Sequence, residues 1–249
     1  MIRRLKQGLL FFEQPQALRA ALTWPTFSFT AFRMVSVLAR KGLMPRTVLD
    51  VGANIGQFAI AAAKFFPHAT IHAFEPLPSA AAALRRHAAG LPRVEVHQVA
   101  LGDREGRAAF RVSANSVSSS LLRATRAHSD AFPDAAAVQE VEVQISTLDR
   151  ELQNIPLEAP VLLKIDIQGA EAQALRGAAS ALERIEHVLI EASLVPLYEG
   201  ESTLRELSAL LENRGFRFET AVGFLESPRT GELLQIDALF RAAGKAAPR

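Results

Sequence analysis

Short apolar runs alternate with amphipathic stretches along most of the 249-residue chain, the pattern of strands interleaved with helices. Residues 1–44 read as mostly helical. Within them, residues 27–43 carry Phe29, Phe32, Val35, Val37 and Leu38 at helical spacing, and Met44-Pro45-Arg46 closes the segment. The first strand is Thr47-Val48-Leu49-Asp50-Val51; the chain breaks at Gly52 and resumes as an Ala-rich helix with Ile55, Phe58, Ala59 and Ala62 on one face. The second strand is Thr70-Ile71-His72-Ala73-Phe74, followed by a helix over residues 80–89 that Gly90 stops. Residues 94–100 alternate and read as one third strand. Two further apolar runs, within 160–167 and 185–191, read as the fourth and fifth parallel strands. Residues 203–213 form an amphipathic helix with Leu204, Leu207, Leu210 and Leu211 inward. The segments 216–220 and 233–240 read as an antiparallel pair at the sheet edge. The order predicts a doubly wound α/β sheet.

The alternation fails over residues 107–146. Strands are expected at 107–112 and 141–145, and the polar, small-residue stretch between them is a candidate substrate lid. Ser118, Ser119 and Ser120 lack a nucleophile elbow and read as loop residues. Arg123, Arg126 and His128 read as a solvated face, with contact to an anionic substrate as the alternative.

Composition adds bounds. At 49% hydrophobic and 22% charged, the chain can build one full α/β core. The expected division is an N-terminal helical extension at 1–45, a catalytic domain at 46–241 and a flexible tail at 242–249. The pI of 9.3 reflects a net charge of only +2 with no Cys and one Tyr to titrate, so no nucleic-acid partner is expected. The absence of Cys excludes disulfides and thiolate zinc sites and fits a cytoplasmic setting. No apolar run has the length of a transmembrane segment. The basic start and Leu9-Leu10-Phe11-Phe12 suit either a packing helix or weak membrane-surface contact.

Candidate chemistry gathers at strand ends. Gly52 and Gly56 bracket a tight turn that opens a helix N-terminus, and Glu75 ends the next strand about 20 residues on, the position of a ribose-binding carboxylate. A dinucleotide and an adenosyl-sulfonium cofactor both fit this pattern. The turn, Gly-Ala-Asn-Ile-Gly, lacks the third glycine of a pyrophosphate loop. Asp50 suits the amino acid end of the cofactor or braces the loop. Asp103, after the third strand, is an adenine neighbour or a turn residue. Lys164 and Asp166, two apart, share one face of their strand, with Asp166 at its carboxyl end; such groups in a buried strand are paired or used. Glu171 opens the following helix and Glu191 closes the fifth strand. Asp166, Glu171 and Glu191 are all oxygen donors, but their spacing requires no metal.

Taken in order, Val48-Leu49-Asp50-Val51-Gly52-Ala53-Asn54-Ile55-Gly56, Phe74-Glu75-Pro76, Ala100-Leu101, Ser119-Ser120-Leu121, Thr147-Leu148-Asp149 and Leu163-Lys164-Ile165-Asp166-Ile167-Gln168-Gly169-Ala170-Glu171 resemble the FkbM family of S-adenosylmethionine-dependent methyltransferases. The similarity spans about residues 46–222 and leaves 1–45 outside. The resemblance implies a class I methyltransferase (Rossmann-like) sheet of seven strands with the last antiparallel. It implies S-adenosyl-L-methionine as cofactor and a small-molecule or glycan hydroxyl acceptor. Asp50, Gly52, Ala53, Asn54, Gly56, Glu75, Pro76, Ala100 and Leu101 would then hold the cofactor. Asp166 would be the catalytic base, with Glu191 as second candidate and Lys164 orienting Asp166. Gln168 departs from the Glu that many members carry, which removes a charge and with it an argument for a metal or base there. The alternatives are an NAD-dependent oxidoreductase on a similar sheet and a non-catalytic cofactor-binding protein.

Overall fold

A computed structural model describes residues 15–113, 120–125 and 137–244. The helices α1 (Pro15–Thr23) and α2 (Phe29–Arg40) precede β1 (Thr47–Val51), α3 (Gln57–Phe65), β2 (Thr70–Phe74), α4 (Pro78–His87) and β3 (Val94–His97). The chain continues through β4 (Ala100–Leu101), β5 (Gly106–Ser113), β6 (Ala137–Ser146), α5 (Leu148–Glu151), β7 (Val161–Ile165) and α6 (Glu171–Arg176). A 3₁₀ turn at Ala181–Arg184 leads to β8 (His187–Ser193), α7 (Leu204–Glu212), β9 (Phe216–Glu226) and β10 (Leu233–Ala242).

Seven strands form one sheet in the order β3-β2-β1-β7-β8-β10-β9. The first five run parallel, and β10 is antiparallel to both β8 and β9. This is the doubly wound sheet with a reversed last strand. Every residue of β1 and β7 is buried, as expected of central strands covered on both faces. On one face, Val35, Leu38, Ala59 and Ala62 of α2 and α3 pack against Val48, Ile71 and Leu162. On the other, Leu175, Leu182 and Leu207 cover Leu49, Leu163 and Val188. The Ser28 hydroxyl caps α2 by accepting the Ala31 N–H, and Thr203 with Glu206 forms a capping box on α7.

Three expectations need correction. Residues 94–100 are two strands: β3 pairs with β2, whereas Ala100 and Leu101 leave the sheet and pair with Ile145 and Ser146 of β6. That pairing is distant in sequence and leaves no trace in the local alternation. The small sheet so formed, β4-β6-β5, packs Phe110 and Val143 on Leu77 and Ala80 beside the main sheet. Second, β8 runs past Glu191 to Ser193, because Gln235 of β10 pairs with Ser193. Glu191 is therefore interior to its strand. Third, β9 and β10 extend each other to Glu226 and Ala242. Ala242, the expected start of the tail, is buried in the strand. The proposed lid and the apolar run at residues 9–12 fall largely or wholly outside the described residues, as do Ser118, Ser119, Arg126 and His128.

Gly177, which caps α6, locks the two sheets together: a Cβ there would lie 1.9 Å from the carbonyl oxygen of Gly102, just past β4. Both partners are backbone and cannot rotate aside. Gly177→Ala is expected to destabilise the protein by about 1–3 kcal/mol, read as a lowered urea midpoint at unchanged slope.

Candidate functional site

A cavity of about 310 Å³ opens at the carboxyl ends of the parallel strands, where open α/β sheets bind ligands. The turn after β1 forms its floor. The Gly52 and Ala53 N–H groups donate to the Phe74 carbonyl, which draws the turn toward the end of β2. Gly52 has φ of +82°, and a Cβ on it would stand 1.9 Å from the Asp166 carbonyl oxygen. Only glycine fits there. Glu75 is buried; its carboxylate accepts the Asn54 N–H at 2.8 Å and the Leu77 N–H at 2.9 Å. Burial raises its pKa, and the two N–H bonds oppose the rise.

Gly52, Ala53, Asn54, Glu75, Pro76, Ala100, Leu101, Lys164 and Asp166 all line this one cavity. Three expected residues lie elsewhere. Asp50 sits beneath the floor, fully buried. Gly56 begins α3 with φ of +99°, and its missing Cβ leaves room for the Leu84 side chain of α4. Glu191 lies behind Asp166. Asp103 is an exposed turn residue, 3.8 Å from Arg176.

The charges converge on Lys164. It is in register with Asp50 on β1, and its Nζ lies 3.2 Å from Asp50 Oδ1 and 3.4 Å from Asp166 Oδ2. It also donates to the Gly52 carbonyl at 3.4 Å. Burial alone would lower its pKa, but Asp166, Asp50 and Glu191 hold it above the usual lysine range. Lys164 is thus a permanent cation at the root of the turn. Asp50 is raised by burial against the pull of Lys164.

Gln168 connects what lies behind. Its Nε2 donates to Asp166 Oδ1 at 2.9 Å and to Glu191 Oε2 at 2.8 Å, and its Oε1 accepts from the Tyr198 hydroxyl at 2.8 Å. Its backbone sits at φ of +57°, held by the Ser120 hydroxyl, which donates to the Gln168 carbonyl at 2.6 Å. Asp237 on β10 pairs with Glu191 across the strands. Burial and the charge of Asp166 raise both, Asp237 to about 7. Glu171 accepts the N–H groups of Ile167 and Gly169 and fixes the same turn.

Sequence reasoning missed several of these. Ser28, Thr30, Ala31 and Met34 of the N-terminal helices line the cavity, as do Phe110 of the small sheet and Leu121. Tyr198 and Asp237 carried no signal beyond being polar groups in apolar surroundings. Ser120 and Leu121 did carry one, as part of Ser119-Ser120-Leu121.

The cavity suits an adenosyl-sulfonium cofactor. Phe74, Val99, Ala100 and Leu101 supply apolar walls, and Glu75, the Gly52 turn and the Lys164–Asp166 pair supply the polar ones. A nucleoside base, a ribose and a charged amino acid portion each find a matching surface among them. The fold and site define a class I S-adenosylmethionine-dependent methyltransferase. Residues 50–218 match the family model of the methyltransferase FkbM domain. The chain is 30% identical over 217 residues to the 2-O-methyltransferase NoeI of Sinorhizobium fredii, covering 84% of this chain and 88% of that protein. It is 32% identical over 194 residues to the 31-O-demethyl-FK506 methyltransferase FkbM of Streptomyces tacrolimicus, covering 68% and 72%. The crystal structure of a SAM-dependent methyltransferase from Aquifex aeolicus is 14% identical, covers 86% of this chain and 92% of that one, and superposes with a TM-score of 0.47. The chain belongs to the FkbM methyltransferase family. It is an S-adenosylmethionine-dependent enzyme of the methyl-transferring class.

Glu171 makes the site sensitive to pH. It is 2% exposed, and burial lifts its pKa to about 7 against the two N–H bonds that lower it. An unfolded glutamate releases its proton near 4.5, so between 4.5 and about 7 the folded state binds more protons than the unfolded one. Stability from this group is full below that window and is lost as pH rises through it. Glu171→Gln keeps a carbonyl acceptor for both N–H groups. Unfolding titrations at pH 5 and pH 8 should show the variant gaining on the parent at the higher pH, by up to about 3 kcal/mol.

Proposed function

We propose that the enzyme methylates a hydroxyl group, carried by a sugar of a glycan or glycolipid or by a secondary metabolite, with Asp166 as the base. The observation that carries this reading is Asp166 itself. It is partly exposed, it lines the cavity at the carboxyl end of β7 where Glu191 and Asp237 do not, and neighbours on two sides fix its orientation. The hydroxyl chemistry named for both relatives supports the same acceptor class.

The cofactor supplies a methyl group already bonded to a sulfonium leaving group, so the protein's task is alignment, exclusion of water and proton removal. Glu75, oriented by the Asn54 and Leu77 N–H groups, would hold the ribose, Pro76, Ala100 and Leu101 the nucleoside, and Gly52 and Ala53 the amino acid end. Asp166 accepts the proton that the acceptor hydroxyl loses on attack. Lys164 keeps a positive charge beside Asp166 through the reaction. Glu191 is no base in this reading: it does not line the cavity, and it acts through Gln168 as a positioning residue. Residues 46–241 form the catalytic domain, and α2 with its cap Ser28 borders its acceptor end. The enzyme works in the cytoplasm, a reading that rests on its cofactor and its lack of Cys. Among the described residues no helix is long and apolar enough to cross a membrane.

Calorimetry with S-adenosylmethionine, S-adenosylhomocysteine and NAD, combined with methyl-transfer assays on glycosides and hydroxylated natural products, tests the assignment. Glu75→Ala should lose both adenosyl ligands, and NAD should bind neither form. Asp166→Asn should bind S-adenosylmethionine like the parent while transfer falls by about 10²–10⁴. Undiminished transfer by Asp166→Asn would remove Asp166 from the reaction.

A further inference from the structure

A second cluster of ligand-type side chains lies apart from the cavity lining, on the β3 edge of the sheet. Parallel pairing sets His72 of β2 beside Glu95 of β3, and Phe74 beside His97. Side chains two apart share a face, so His72, Glu95 and His97 all project on the same side. His72 is 2% exposed, Glu95 is open to solvent, and His97 lies between these extremes. Among the described residues, this is the group of three such side chains whose ligand atoms can meet at one point, all within 4.8 Å of one another.

The spacing fits a metal ion. His72 Nδ1 lies 3.2 Å from His97 Nε2 and 3.5 Å from Glu95 Oε2. Bonds of about 2.0–2.1 Å in tetrahedral array place ligand atoms roughly 3.3 Å apart, between the two observed separations. The third edge closes by a rotation of the exposed Glu95 side chain. Two imidazoles and one carboxylate form the donor set of zinc-type divalent cations. The rings are held in place: His97 stacks on Phe74 with centroids 4.7 Å apart at 22°, and its carbonyl accepts the Glu75 N–H.

We propose that His72, Glu95 and His97 bind one zinc-class divalent cation, clamping the edge strand β3 to β2, with a fourth position left to water. Its affinity is moderate. A metal-bound imidazole ordinarily donates its other N–H to an acceptor, and the loss of such a partner weakens binding by about 10–100-fold. His72 Nε2 is buried with none. The site is independent of the methyl-transfer reading, although one ring, Phe74, separates it from the cofactor cavity.

The test uses full-length protein without a histidine tag, stripped with chelator, and titrated with Zn²⁺ by calorimetry and with Co²⁺ by visible absorption. The expected result is one equivalent bound, with the strong visible bands of four-coordinate cobalt. Glu95→Gln changes an exposed side chain and should leave the fold intact, as circular dichroism would show. It should weaken binding by at least about tenfold, and His97→Gln should abolish the one-equivalent phase. Failure to bind either ion, or binding that survives both substitutions, would overturn the proposal and leave a histidine pair joined by a hydrogen bond.

Discussion

The site depends on one buried cation. Lys164 pairs in register with Asp50 across the two central strands and reaches Asp166 at the strand's end. Each of these charges would be costly in an apolar strand alone, and removing one partner of a buried pair leaves the other uncompensated. Together they fix the relative height of β1 and β7. The carbonyl of Val51 accepts the Asp166 N–H at 3.1 Å, and the Lys164 ammonium binds the Gly52 carbonyl. The glycine turn can then lie flat on the backbone of Asp166, at a distance no side chain would permit. The turn's shape and the position of Asp166 are thus one constraint satisfied twice.

Around this cation the protein places more carboxyl groups than it can neutralise: Asp50, Asp166, Glu191 and Asp237, with Glu171 close by. Their pKa values divide accordingly. Glu191, Asp237 and Glu171 are all raised, by burial first and by the charge of Asp166. Gln168 is chemically apt in this setting. An amide donates to Asp166 and Glu191 at once through one nitrogen and still accepts from Tyr198. A glutamate at 168 would bring another negative charge against two carboxylates and could bridge them only by holding a proton. The absence of a charge at 168 therefore changes how Asp166 is held, without leaving the position idle.

The portion of this arrangement readable from sequence is the portion made by neighbours in sequence. Strand β1, its glycine turn and helix α3 are contiguous, and Glu75 is fixed by the length of one βα unit. The pairing of Lys164 with Asp166 follows from a two-residue repeat. Partners supplied by distant segments were not readable. Ala100-Leu101 alternates as if it continued β3, yet β6 draws it into another sheet. Glu191 looked terminal because the pattern weakens there, whereas β10 carries the strand on to Ser193. Asp237 is an acid inside an apolar run, and only the cross-strand register reveals that it faces Glu191. The expectation that Gly56 serves the cofactor rested on its motif; the space it leaves is filled by Leu84.

The same division separates the two halves of the cavity. Its cofactor half is lined by the ends of β1, β2 and β7, paired in the central sheet, and by the short passage into β4, which backbone hydrogen bonds tie to β6. Its other walls come from Ser28, Thr30 and Met34 on the N-terminal helices, Phe110 on the small sheet, and Leu121. These are held by side-chain packing, as with Arg33 over the Phe224 ring and Phe110 against Leu77. Packing contacts tolerate volume-conserving exchange far better than a backbone turn tolerates a Cβ. In the proposed reading, such walls can change while the Lys164 pairing with Asp50 and Asp166 stays as it is. Acceptor choice in that reading rests with such walls, Thr30 and Met34 of α2 among them, and the charged pairing at Asp166 lies apart from them in sequence.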